Sequence, residues 1–110
     1  MSQIDIPFNE WSIEKLTAGI KRATTRTKKY GEPGDIFPVK LNNGLTATYQ
    51  LDFVVQLPLW FIARYLHKTE GADIQKEFED VWHGIHSRKK WTGHELLWYH
   101  YFKVRWGVFE

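Results

Sequence analysis

Between residues 19 and 26 the chain reads Gly-Ile-Lys-Arg-Ala-Thr-Thr-Arg, placing an amine, a hydroxyl and a guanidinium at Lys21, Thr24 and Arg26. In an extended segment side chains alternate, so Thr24 and Arg26 project from one face. Lys21 follows Gly19, a good helix stop, and can fold over that face. A threonine hydroxyl is a weak nucleophile until a neighbouring base takes its proton. A lysine serves as that base only when neutral, a state favoured by burial and by a nearby guanidinium. Further on, Glu70-Gly71 stands just before a capped helix, where a carboxylate can point into a cleft. A charged Glu70 beside Lys21 would hold the lysine protonated, so this chemistry needs Glu70 protonated or set apart. The plainer use of the same residues is a buried Lys21–Glu70 ion pair, with Thr24 an ordinary strand residue.

The pattern Gly19-x-Lys21-x-x-Thr24-x-Arg26 resembles the signature of ASCH domains. Gly34-Asp35, Glu70-Gly71, Glu77-Phe78, Trp82 and Tyr99-His100-Tyr101-Phe102 follow in the order of that family, so the resemblance spans nearly the whole chain. It implies an α+β, PUA-like fold: a small mixed or antiparallel β-barrel with three or so inserted helices. It also implies a link to RNA. Small bacterial ASCH proteins include an amidohydrolase that deacetylates N(4)-acetylcytidine with a lysine, a threonine and a glutamate. Carried over by motif, Thr24 is the nucleophile, Lys21 the base and Glu70 the proton shuttle, with Arg26 holding the site or its ligand. No cofactor is implied. The signature is shared by proteins of unknown activity, so two other uses of the cleft stand beside hydrolysis. One is an RNA-binding module that reads a modified base. The other is a ribonuclease using Lys21 with Tyr99 or Tyr101.

Composition bounds these readings. A chain of 110 residues, 43% of them hydrophobic, suits one domain over 1–110 with one real core. It has no cysteine, so no disulfide contributes, in keeping with a reducing compartment. No run nears the roughly 20 apolar residues of a membrane helix, and Met1 to Asp5 lack the basic start of a signal peptide. The expectation is a cytoplasmic protein with no membrane attachment and no obligatory protein partner. Net charge is only +2, but the basic residues cluster. Arg22, Lys28 and Lys29 near the motif, and Arg88, Lys89 and Lys90 later, suit the phosphates of RNA. A solvated loop gives the same pattern.

Aromatic residues make up 16% of the chain, with six Trp. Tyr30 and Trp60 are candidates, with Arg26, for holding a nucleobase, and Trp91 is a further one; rings also simply fill small cores. His83 and His86 stand three apart near a helix end, with His94 and His100 beyond. Zinc is one use of such residues, but interaction with the helix dipole is the expected one, and no metal is assigned. No glycine loop has phosphate-binding spacing, and no Ser-His-Asp or Cys-His arrangement stands out.

The elements that must position these groups follow from periodicity. Ile4, Ile6 and Phe8 alternate as a short first strand. Asn9 caps a helix to about Ala18, with Ile13, Leu16 and Ile20 on one face. Thr24 to Arg26 is extended, Lys28 to Asp35 is a loop, and Ile36 to Leu41 is a strand. Asn42-Asn43-Gly44 turns the chain into a long strand over 45–56. Pro58 opens a short helix. Asp73 caps another, whose stripe of Ile74, Phe78, Val81, Trp82 and Ile85 faces a core. Leu97 to Trp106 alternates as a closing strand.

Overall fold

The computed structural model describes residues 2–105; Trp106, the last residue of the expected closing strand, lies outside them. The order is α1 (Glu10–Thr17), β1 (Ala23–Arg26), β2 (Ile36–Lys40), β3 (Thr46–Pro58), α2 (Leu59–Tyr65), α3 (His67–Glu70), α4 (Gln75–Ile85) and β4 (Leu96–Val104).

The Asn9 side chain accepts from the Ser12 amide at 2.8 Å and caps α1. Gly19, at φ 76°, turns the chain out of the helix toward β1. Because α1 ends at Thr17, Ile20 lies beyond the helical stripe expected for it and is exposed. Asn9→Ala should cost about 1 kcal/mol of stability, the usual worth of such a cap, measurable as a shift in the denaturant midpoint. Asp73 does not cap α4. Ile74 takes that position, and the Asp73 amide instead donates to Glu77 Oε1 at 2.9 Å.

The four strands form one antiparallel sheet in the order β1-β4-β3-β2, curled into a half barrel. A register shift between Leu51 and Phe53 interrupts the β3–β4 ladder, the kind of irregularity that bends a strand. The fold class is therefore the α+β one expected, with the barrel open rather than closed. The first strand does not form. Gln3 makes a single parallel bridge to Ile36, and Pro7 has no amide to extend a ladder. Ile6 is buried and Phe8 packs beside it, so the N-terminal alternation serves core packing, with pairing limited to that one bridge.

Both faces of the sheet are covered, which is why β4, lying between β1 and β3, buries residues of both parities. Leu97 and Tyr99 pack with Ile62, Ala63, Phe78 and Trp82 from the helices. Phe102 packs on the other face with Phe37, Tyr49, Leu51 and Leu16. Among the described residues, no helix is long and apolar enough to cross a membrane.

Candidate functional site

β1 is an edge strand, so groups on both of its faces reach one opening. Thr25 is opposite Tyr99, on the face covered by α3; Thr24 is opposite His100, on the other. The Arg22 amide donates to Thr69 O at 2.7 Å, tying α3 to the start of β1. Gly71, at φ 106°, ends α3 directly after Glu70.

Two hydrogen-bonded groups result. On the α3 side, Lys21 Nζ donates to the Glu70 carbonyl oxygen at 2.9 Å and lies 3.5 Å from Glu70 Oε1. Thr25 Oγ1 donates to Glu70 Oε2 at 2.7 Å. On the other side, Arg26 Nε donates to Thr24 Oγ1 at 3.0 Å, and Arg26 Nη2 donates to Pro7 O at 2.6 Å. The guanidinium carbon stands 5.0 Å from the Phe8 ring centre and 5.4 Å from that of Tyr30. No hydrogen bond joins Lys21 to Thr24 among the described residues. All five side chains line a common pocket of about 420 Å³, whose opposite wall is Phe78, Val81, Trp82 and Ile85 of α4.

Lys21, Thr24 and Glu70 are 5%, 3% and 4% exposed, so all three side chains are withdrawn from bulk solvent. Burial pulls the Lys21 ammonium below its ordinary pKa, with Glu70 opposing and Arg26 adding to the fall. Burial pushes the Glu70 carboxyl up, against the pull of Lys21 and the Thr25 hydroxyl. Desolvation thus drives both groups toward their neutral forms. His100 is wholly buried behind Thr24, and burial lowers its pKa. Its Nε2 accepts from the Tyr30 amide at 3.1 Å, so its proton sits on Nδ1, which lies 3.2 Å from Thr24 O and 3.1 Å from Trp98 O. One neutral imidazole therefore ties the backbone of Thr24 to that of Tyr30.

Among solved structures, an ASCH domain from Lactobacillus crispatus superposes with a TM-score of 0.67, over 94% of this chain and 78% of that one, at 16% identity. The fold is that of the ASCH domain. A protein from Enterococcus faecalis described by the DUF984 family gives 0.63 at 14% identity, over 94% of this chain and 75% of its own. The hypothetical protein PH0355 gives 0.62 at 16% identity, over 96% and 100%. No protein-family model and no curated protein matches the sequence.

In this ASCH fold the candidate residues divide. Lys21, Thr24, Arg26, Tyr30 and Glu70 share the pocket. Trp60 does not: α2 carries it away from the pocket, 44% exposed, with its ring 5.7 Å from that of Phe61. Trp91 is an anchor, donating from Nε1 to His86 O and packing 5.2 Å from Trp82. Arg22, Lys28 and Lys29 are exposed; Lys28 Nζ lies 4.8 Å over Tyr30 at the pocket, and Lys29 pairs with Glu32. Arg88, Lys89 and Lys90 are exposed after α4, with Lys89 over the Trp91 ring.

Tyr99 lies under α3, its hydroxyl 2.6 Å from Thr69 Oγ1 and its pKa pushed up to about 12, chiefly by burial. It does not line the pocket, and neither does Tyr101. The histidines are dispersed: His83 and His94 are exposed, His86 lines the pocket and His100 is buried. Among the described residues no group of His, Asp and Glu has the makings of a metal site. Two parts of the site escape sequence reasoning. Thr25 was hidden by alternation, which points it away from Thr24. The α4 wall was hidden because its stripe reads as core throughout, whereas only Phe78 and Trp82 are buried.

Proposed function

We propose that this chain hydrolyses an acyl amide on a modified pyrimidine nucleoside such as N(4)-acetylcytidine. The observation that carries the reading is a lysine and a glutamate, buried side by side and both driven toward neutrality, opening on the same pocket as a threonine hydroxyl. Neutral Lys21 is a base and protonated Glu70 an acid, which removes the conflict a charged pair would create. The Thr24 oxygen attacks the acyl carbon and its proton passes to Lys21, directly or through one water. Arg26 Nε, already donating to Thr24 Oγ1, stabilises negative charge developing on that oxygen. The carbon–nitrogen bond breaks as Glu70 protonates the leaving amine, releasing cytidine and leaving Thr24 acylated. Water then cleaves the ester, its proton going to the Glu70 carboxylate, while protonated Lys21 returns a proton to Thr24. A pocket of about 420 Å³ suits a single nucleoside, with the α4 wall taking its apolar surface.

The test is cytidine release from N(4)-acetylcytidine, with Thr24→Val as control. Release by the native protein and none by the variant supports the reading; equal release by both rejects Thr24 as nucleophile. The exposed Lys28 above Tyr30 favours a second reading, an RNA-binding cleft. It applies if no cytidine is released and the protein binds RNA with an affinity that falls steeply with salt. Charge reversal at Arg88, Lys89 and Lys90 should then weaken binding.

A further inference from the structure

We propose that Thr25 is a positioning residue that decides which oxygen of Glu70 acts as the acid, an inference that rests on the hydrolytic reading above. Glu70 has two carboxyl oxygens in different surroundings. Oε2 accepts the Thr25 hydroxyl at 2.7 Å, and Oε1 faces Lys21 at 3.5 Å. An oxygen already receiving a hydroxyl proton is the less favourable place for an acidic one. With Thr25 donating, the Glu70 proton belongs on Oε1, beside Lys21. Thr25 is itself 6% exposed, so water does not compete for the carboxyl there. Its position follows from the edge strand: Thr25 points to the α3 face while Thr24 and Arg26 point to the other.

The same bond favours the carboxylate over the acid, so it also limits how far burial raises Glu70. Thr25→Val keeps the shape of the side chain and removes the donor. The Glu70 carboxyl should then titrate about one unit higher, the size expected when a hydrogen bond to a charged group is lost. Turnover should fall about twofold as the proton spreads over both oxygens, and its high-pH limb should move up with the carboxyl. Thr25→Ser restores the donor and should restore both properties.

The experiment follows the Glu70 carboxyl by 13C NMR against pH in the native protein, Thr25→Val and Thr25→Ser, alongside cytidine release. Thr25→Ala replaces the valine variant if that one does not fold. A midpoint raised in valine and restored in serine, with the matching move of the rate profile, supports the proposal. An unchanged midpoint in the valine variant overturns it, whatever the assay shows. A midpoint that moves while even the native protein releases no cytidine upholds the Thr25–Glu70 coupling and rejects the hydrolytic reading instead.

Discussion

Under the proposed hydrolytic function, Lys21→Met is expected to lower turnover of N(4)-acetylcytidine by roughly 10²–10⁴, the usual worth of a positioned base, in a protein that still folds. Methionine is unbranched and flexible enough to fill the channel that the lysine stem occupies. Glu70 keeps the Thr25 hydroxyl and, pushed up by burial, keeps its proton instead of standing as a lone charge. That choice has a pH signature. A carboxyl whose folded pKa lies above its unfolded one contributes stability that is present at acid pH and lost as pH rises through the folded value. The variant should therefore be most stable near and below pH of about 4, the unfolded carboxyl range, and weaken as pH rises. Turnover measured beside denaturant midpoints across pH separates lost chemistry from lost structure. Native turnover in the variant would remove Lys21 from the mechanism.

Glu70→Ala is expected to do the opposite kind of damage, costing about 1–3 kcal/mol at neutral pH by leaving the buried Lys21 amine without its carboxyl partner. Lys21 would keep only the Glu70-position carbonyl and the Trp11 ring, 5.7 Å away, as favourable neighbours. Its pKa, already lowered by burial, loses the influence that raises it. For a lysine with a depressed folded pKa, stability is present above the unfolded value and is lost as pH falls through the folded one. The deficit against the native protein should thus shrink as pH climbs toward about 10, where the unfolded lysine also loses its proton. The two single variants should show opposite pH slopes in urea unfolding. Parallel slopes would mean that the pair does not share a dry environment.

How much of this was legible beforehand depended on range. Alternation within β1 places Thr24 and Arg26 on one face, and Arg26 Nε does reach Thr24 Oγ1. The Asn9 cap, the Asn42-Asn43-Gly44 turn and the long strand after it are local, and each formed within a residue or two of its expected limits. Glu70 was legible as a carboxyl at a helical boundary, but not its distance from Lys21, because α3 is a single turn too short to carry a periodic signal. Thr25 was not legible for a different reason. Alternation separates the faces of a strand but does not reveal that β1 is an edge, where both faces open on one cavity. The Ile4, Ile6 and Phe8 pattern misled because three alternating apolar residues on one side satisfy a core as readily as a ladder does. Trp60 shows that an aromatic side chain in a short helix has no address until the helix is docked.

The strand order β1-β4-β3-β2 sets a timetable for synthesis. β2 and β3 are joined by a tight turn and can pair as soon as both have emerged from a ribosome. β1, made before either, has no sheet partner except β4, and its residue Thr24 pairs with His100. Closing that separation is an entropic cost paid late, after most local structure has formed. Until β4 emerges, Lys21, Thr24 and Arg26 belong to a segment without its sheet partner. The motif exists early as charge and becomes a site only when the last strand slides in beside it.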